Sequence, residues 1–283
     1  MLKLHLQLSS QRKRLYQEAI RRLQHVCVCD EGLPDGRIVG PEDISGEHPI
    51  PCRVDQPEKI AEDHLMARLQ DGLRIMPAHE WRFRPKILPM HAALLEEKLG
   101  KPGLLRLHQW FAPEDCLRQR MMGALDLARF FFGGLPVLHH SIQQSQSLLC
   151  HLQFSSGGMA LLHVCQLPQG PDAYESIHLI GATGAVYGDD HHNTHLHFKP
   201  GHLAARMHHD DVVSGLSAMI AEFAAGVADR RSWSVSIMDT RRAAQQLKDI
   251  VDGRTLEKNL SGDRPECCEA RLSSCCDRRP SER

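Results

Sequence analysis

The sequence predicts an α+β protein in which an antiparallel-rich open sheet backed by helices follows a shorter α/β portion built on parallel strands. Three observations carry this expectation. Residues 2–29 read as strand, helix and strand, the grammar of a parallel sheet. Residues 137–180 hold strand-like runs joined by short turns, which implies antiparallel pairing. Amphipathic stretches that stop at Gly72, Gly100 and Gly133-Gly134 supply the helices.

Taken in order, Leu2 to Leu8 alternates apolar and polar residues, and Ser9 or Ser10 can cap a helix through Leu15, Ala19 and Leu23. His25-Val26-Cys27-Val28-Cys29 is a second strand. Residues 30–56, rich in Gly, Pro and Asp, read as an irregular insert. Pro57 opens a helix through Ile60, Ala61, Leu65 and Leu69, and Leu73-Arg74-Ile75-Met76 is a further strand. From Trp81 the pattern gives a helix to Leu99, a strand at Leu104 to His108 and a helix from about Pro113 to Phe132. Strands follow at Val137 to Gln146, Leu148 to Phe154, Met159 to Leu167 and Ser176 to Ile180. Two amphipathic helices, through Val212, Leu216, Ile220 and Phe223 and through Ile237, Ala244, Leu247 and Val251, complete the ordered part. The expected organisation is a partial α/β region over residues 1–80, an α+β domain over 81–252 and a polar, disordered tail over 253–283.

With 283 residues, 42% hydrophobic and 24% charged, the chain can bury a large core. A net charge of -1 supplies no global field toward nucleic acid or an anionic membrane. Neither a signal-peptide apolar region nor a run of roughly 20 apolar residues occurs, so a cytoplasmic protein with no membrane and no nucleic-acid partner is expected. Six of the ten cysteines lie in core-like segments and read as reduced thiols. The pairs Cys267-Cys268 and Cys275-Cys276 lack zinc-site spacing.

Several strings, in this order, resemble the Gfo/Idh/MocA family of oxidoreductases. Leu73-Arg74-Ile75-Met76-Pro77-Ala78-His79-Glu80-Trp81-Arg82-Phe83-Arg84-Pro85 is similar to the crossover from the family's last nucleotide-domain strand into an R-F-x-P segment. Leu125 to Gly133 resembles the helix that carries its H-x-x-D motif. Phe154 to Leu162 is similar to a hairpin with a glycine turn, and Ile180-Gly181-Ala182-Thr183-Gly184-Ala185-Val186 to the I-x-G-T-x-G-x turn. The resemblance implies a Gfo/Idh/MocA C-terminal-like sheet behind a truncated Rossmann-like portion. It also implies NAD or NADP as cofactor and a sugar or polyol as substrate, and an antiparallel sheet with one open face can serve as a homo-oligomer contact.

The family's chemistry is matched incompletely. A dinucleotide needs closely spaced glycines where its pyrophosphate meets backbone N–H groups, and no two glycines here are two residues apart. Asp30-Glu31-Gly32 aligns with the family's E-K-P motif and puts glutamate where the lysine would be. Of the D-x-x-x-H-x-x-D pattern only the last aspartate is present, as Asp126; Gln119 and Gly123 stand at the first aspartate and at the acid–base histidine. These gaps point to a degenerate or truncated relative of doubtful catalytic competence, or to a non-catalytic binding or oligomerisation module. Among the 19 histidines, His195 and His197 are candidate metal ligands, because period-two spacing on a strand puts both on one face. The competing reading is polar loop histidines. Arg12, Lys13, Arg14, Arg21 and Arg22 spread around the first helix and read as a solvated face, and Phe130-Phe131-Phe132 as core or interface packing.

Overall fold

In the computed structural model, the described residues are 1–41, 43–44, 50–57, 67–68, 70–111, 116–166, 174–189, 194–198, 204–206 and 211–252, with 189, 194–198, 204–206 and 211 described by backbone alone. The helices are α1 (Ser10–Arg21), α2 (Ile87–Leu95), α3 (Leu117–Phe132), α4 (Asp211–Ala228) and α5 (Ile237–Val251), with a short 3-10 turn at Glu80–Phe83. The helix expected from Pro57 lies mostly outside the described residues, as does the tail. Among the described residues no helix is long and apolar enough to cross a membrane.

The first sheet consists of β1 (Leu2–Gln7), β2 (Val26–Val28), β3 (Gly36–Val39), β4 (Cys52–Val54) and β5 (Ile75–Pro77), in the order β2-β1-β3-β4-β5 with every pair parallel. Strand β1 therefore sits inside the sheet, and the chain reverses direction across it: β2 lies on one side, β3 to β5 on the other. Such a switch point opens a crevice beyond the carboxyl ends of the central strands. Residues 30–56, expected to be irregular, instead contribute β3 and β4. Both strands are buried on both faces, so they show no alternation to read, and at three or four residues they are too short to stand out from their Gly and Pro surroundings.

Helix α4 follows the second sheet in the chain but packs on the first. Its Val213, Leu216, Met219, Ile220 and Phe223 share a core with Leu4, Leu6, Tyr16 and Ile38. Gly36 permits this contact, since a Cβ there would lie 3.0 Å from the Phe223 ring. Ser217 Oγ donates to the Ala19 carbonyl at 2.9 Å and fixes α4 against α1.

The second sheet has eight strands: β6 (Pro102–Phe111), β7 (Pro136–Gln143), β8 (Ser147–Phe154), β9 (Met159–Gln166), β10 (Tyr174–Gly181), β11 (Ala185–Asp189), β12 (Thr194–Phe198) and β13 (Ala204–Arg206). Their order is β13-β12-β11-β10-β6-β9-β8-β7. Neighbours are antiparallel except β6 and β9, which are parallel. The alternation on β6 shows the two faces: Leu105, Leu107 and Phe111 enter a core with α3, while Arg106 and Trp110 emerge on the opposite side. Helices α3 and α5 pack together over the covered face, and among the described residues no helix packs on the other, here called the open face.

The glycines of the Ile180 to Val186 string have a steric cause. A Cβ on Gly181 would lie 2.1 Å from the Leu99 carbonyl oxygen, because the turn after α2 is pressed against the β10–β11 hairpin. Gly181→Ala is therefore expected to destabilise the fold by about 1–3 kcal/mol. Gly134→Ala, where nothing lies within 4 Å, should be close to neutral. Urea unfolding of the two variants side by side measures the difference.

Candidate functional site

A cavity of about 280 Å³ opens between the two sheets, beyond the carboxyl ends of β4 and β5. Arg12 of α1 borders it on one side, and Gln56 and Pro57, just after β4, on another. His79, Glu80 and Trp81 come from the segment after β5. Helix α3 closes it with Gln119, Gly123 and Asp126, which share one helix face through their spacings of four and three.

Asp126 is almost fully buried and met by several donors. Its Oδ2 accepts from His79 Nδ1 at 2.8 Å and from Arg82 Nε at 2.8 Å, and its Oδ1 accepts from Arg82 Nη2 at 2.5 Å. Burial alone would raise its pKa, but His79 and Arg82 outweigh it and hold the carboxyl well below the usual carboxylate range. The other nitrogen of His79 is also engaged: Nε2 lies 2.9 Å from Thr240 Oγ1 on α5. Both ring nitrogens are thus used inside the protein, and His79 is only 7% exposed.

A second carboxylate cluster borders the crevice. Asp55 accepts from Arg12 Nε at 2.8 Å, from Arg12 Nη2 at 2.6 Å and from the Tyr16 hydroxyl at 2.7 Å. Arg12 also bonds Glu80, and the fully buried Arg53 donates to the Tyr16 hydroxyl. Burial again opposes ionisation of Asp55, and the Arg12 guanidinium reverses it and lowers the pKa. A third, Glu175 of β10, receives Arg84 Nη1 at 3.0 Å, Lys86 Nζ at 2.5 Å and Gln109 Nε2 at 2.7 Å. Its pKa is likewise lowered, burial being overcome by Arg84 and Lys86.

The structure brings Gln119, Gly123 and Asp126 together, as their alignment on one motif requires. The space a side chain at position 123 would use belongs to Trp81, whose Nε1 lies 3.1 Å from an added Cβ. Glu31 is exposed beyond the edge strand β2 and does not line the cavity. Gln56, which the sequence reading passed over because β4 went unseen, does. His195 and His197 lie on one strand, β12, opposite Gly188 and Val186, but their side chains are outside the description. Among the described residues no group of three or more His, Cys, Asp or Glu is arranged to hold a metal. His79 and Thr240 were missed because they are 161 residues apart in the chain, with no local pattern to link them.

The crevice does not fit a dinucleotide held in the ordinary way. The turn from β1 into α1 is Leu8-Ser9-Ser10, so every residue facing the pyrophosphate position carries a Cβ. One turn into α1, Arg12 is committed to Asp55 and Glu80. Asp30, at the end of β2 where a ribose-binding acid would stand, pairs instead with Lys13 Nζ at 3.3 Å.

Removing the Asp126 charge leaves the buried Arg82 with only its longer contact to Asp239, so Asp126→Asn is expected to cost about 3–5 kcal/mol. The depressed folded pKa means that this stabilisation is complete above the ordinary aspartate value of about 3.9 and is lost as pH falls below it. Urea midpoints followed downward from pH 6 should fall more steeply below pH 4 in the wild type than in the variant.

No family model matches the sequence, and no curated protein is similar to it. Solved structures do match. A putative myo-inositol dehydrogenase from Sinorhizobium meliloti aligns over 90% of this chain and 99% of its own, with a TM-score of 0.70 at 13% identity. A myo-inositol dehydrogenase from Corynebacterium glutamicum aligns over 90% and 98%, at 0.72 and 14%. An oxidoreductase from Agrobacterium radiobacter, solved in complex with NAD+, L-tartaric acid and magnesium, aligns over 90% and 97%, at 0.71 and 13%. A Rossmann-like parallel sheet joined to a large open sheet is thus the fold that this chain shares with the Gfo/Idh/MocA-type oxidoreductases.

Proposed function

We propose that the chain is a Gfo/Idh/MocA-family protein that binds a small polyhydroxylated molecule in the inter-sheet cavity and does not by itself transfer hydride to or from NAD or NADP. The observation that carries this reading is the closure of His79. A general base must reach the substrate hydroxyl with a free nitrogen, and both nitrogens of His79 are held, by Asp126 and Thr240. The other acid–base position, Gly123, has no side chain and is covered by Trp81.

Asp55-Gln56-Pro57 follows the fourth strand of the parallel sheet and enters the cavity, and we take it as the counterpart of the E-K-P motif in place of Asp30-Glu31-Gly32. An amide at Gln56 can donate to and accept from a hydroxyl but cannot move a proton at neutral pH. Gln119 offers a second amide, and Arg84 and Arg120 give the cavity cationic walls suited to a sugar acid as well as to a neutral polyol. The neighbour from Agrobacterium radiobacter, bound to L-tartaric acid, is a precedent for a polyhydroxy acid on this fold. The free cysteines among the described residues suit a reducing compartment, and we place the protein in the cytoplasm.

The full chain is expected to show no nicotinamide reduction with millimolar NAD+ or NADP+ and either myo-inositol or L-tartrate, and no heat of binding for either cofactor. One of the two polyhydroxy probes should raise the melting temperature, and Gln56→Leu combined with Gln119→Leu should abolish the rise. Turnover with either cofactor would overturn the reading.

A second reading, assembly through the open sheet face, is favoured by Trp110, Leu138, Ile142 and Met159, large apolar side chains exposed on strands of that sheet. Sedimentation velocity should then give a dimer or larger species, and Trp110→Ser should weaken it. A monomer at high concentration would rule it out.

A further inference from the structure

The open face of the second sheet carries a feature that the inter-sheet cavity does not use. His108 of β6 and His163 of β9 are directly paired in the parallel register, and their Nδ1 atoms lie 2.8 Å apart. The rings are tilted by 35° with centroids 4.7 Å apart. They border a cleft of about 70 Å³ together with His178 and Ser176 of β10. Trp110 and Tyr174 stand edge-on to His108, 5.3 and 6.1 Å away, and restrict its rotation.

We propose that His108 and His163 form a divalent transition-metal site, taking Zn2+, Ni2+ or Cu2+ between their two Nδ1 atoms. A hydrogen bond between two Nδ1 atoms requires one ring to carry its proton on Nδ1 and the other on Nε2. One lone pair and one N–H then converge on a single point, and moving that proton leaves two lone pairs aimed at it. The metal takes the place of the shared proton, which transfers through solvent to Nε2 of the same ring. Both imidazoles stay neutral and no net proton is released. Zinc–nitrogen bonds of about 2.0–2.1 Å need the two nitrogens roughly 3.3 Å apart in tetrahedral geometry, so the rings must separate by about half an ångström.

A further observation favours occupancy: the ligands sit on adjacent strands in mid-sheet, where backbone pairing fixes the spacing of their Cα atoms. Arg106 repels a cation, but it is exposed and its field is screened. Water completes the coordination, since no third ligand stands in place among the described residues.

The test is a titration of the full chain with ZnCl2, read by long-range proton–nitrogen spectra of the histidine rings. The Nδ1 resonances of His108 and His163 should move together at substoichiometric metal. In parallel, equilibrium dialysis should show that His108→Phe and His163→Asn each bind one equivalent fewer than the wild type, or bind it at least about tenfold more weakly, while His178→Ala retains it. Zinc that shifts only histidines in residues 191–209, or equal stoichiometry in all four proteins, would overturn the proposal. The wild-type spectra need no variant to fold.

Discussion

The segment from Glu80 to Lys86 holds the molecule together. Its even-numbered residues all form ion pairs with other parts of the fold: Glu80 with Arg12 of α1, Arg82 with Asp126 of α3 and Asp239 of α5, Arg84 and Lys86 both with Glu175 of β10. Two of the odd-numbered residues, Trp81 and Phe83, enter the cores of the second and first sheets respectively. One short crossover therefore fixes the position of both sheets and of the cavity between them. Isolated buried charges would be prohibitive, and the buried carboxylates Asp126 and Glu175 are tolerated because two or more donors meet each. Shifting the segment by one residue would direct the charges into apolar cores.

This arrangement also explains the chemistry of the cavity. Asp126 is the one motif aspartate present, and its oxygens are spent on His79 and Arg82. His79 in turn spends its second nitrogen on Thr240. The groups that resemble catalytic machinery are parts of a structural joint, and the amides of Gln56 and Gln119 are better suited to holding hydroxyls than to moving protons.

Much of this was legible in the chain. The strand-helix-strand start, the hairpins and the glycines at 133 and 181 correspond to β1-α1-β2, to β7-β8-β9, and to a left-handed helix stop with φ of 73° and a close backbone approach, whereas β10 pairs with β6, which lies between it and β9. Strands β3 and β4 were not legible. In Cys52-Arg53-Val54 the central residue is an arginine that no hydropathy pattern would place inside, and it is buried only because Tyr16 and Met219 accept from it. With β3 and β4 unread, the motif comparison fell on Asp30-Glu31-Gly32 after β2, two strands before the Asp55-Gln56-Pro57 proposed as its counterpart after β4. The His79 to Thr240 contact depends on tertiary packing, and local sequence carries no trace of it.

The return of α4 to the first sheet has a consequence for how the protein is made. The partners Ser217 and Ala19 are separated by 198 residues, and Leu4, Leu6 and Ile38 lack their helical cover until α4 has been synthesised. At about 5–20 residues per second, a first sheet complete at β5 waits roughly 8–30 s for the end of α4 with that surface uncovered. The second sheet closes largely through pairings between strands near in sequence, which form sooner. Folding on the ribosome would then depart from the order of the chain: strands of the second sheet can pair before α4 covers the first, and α5, made last, completes the cover of the second.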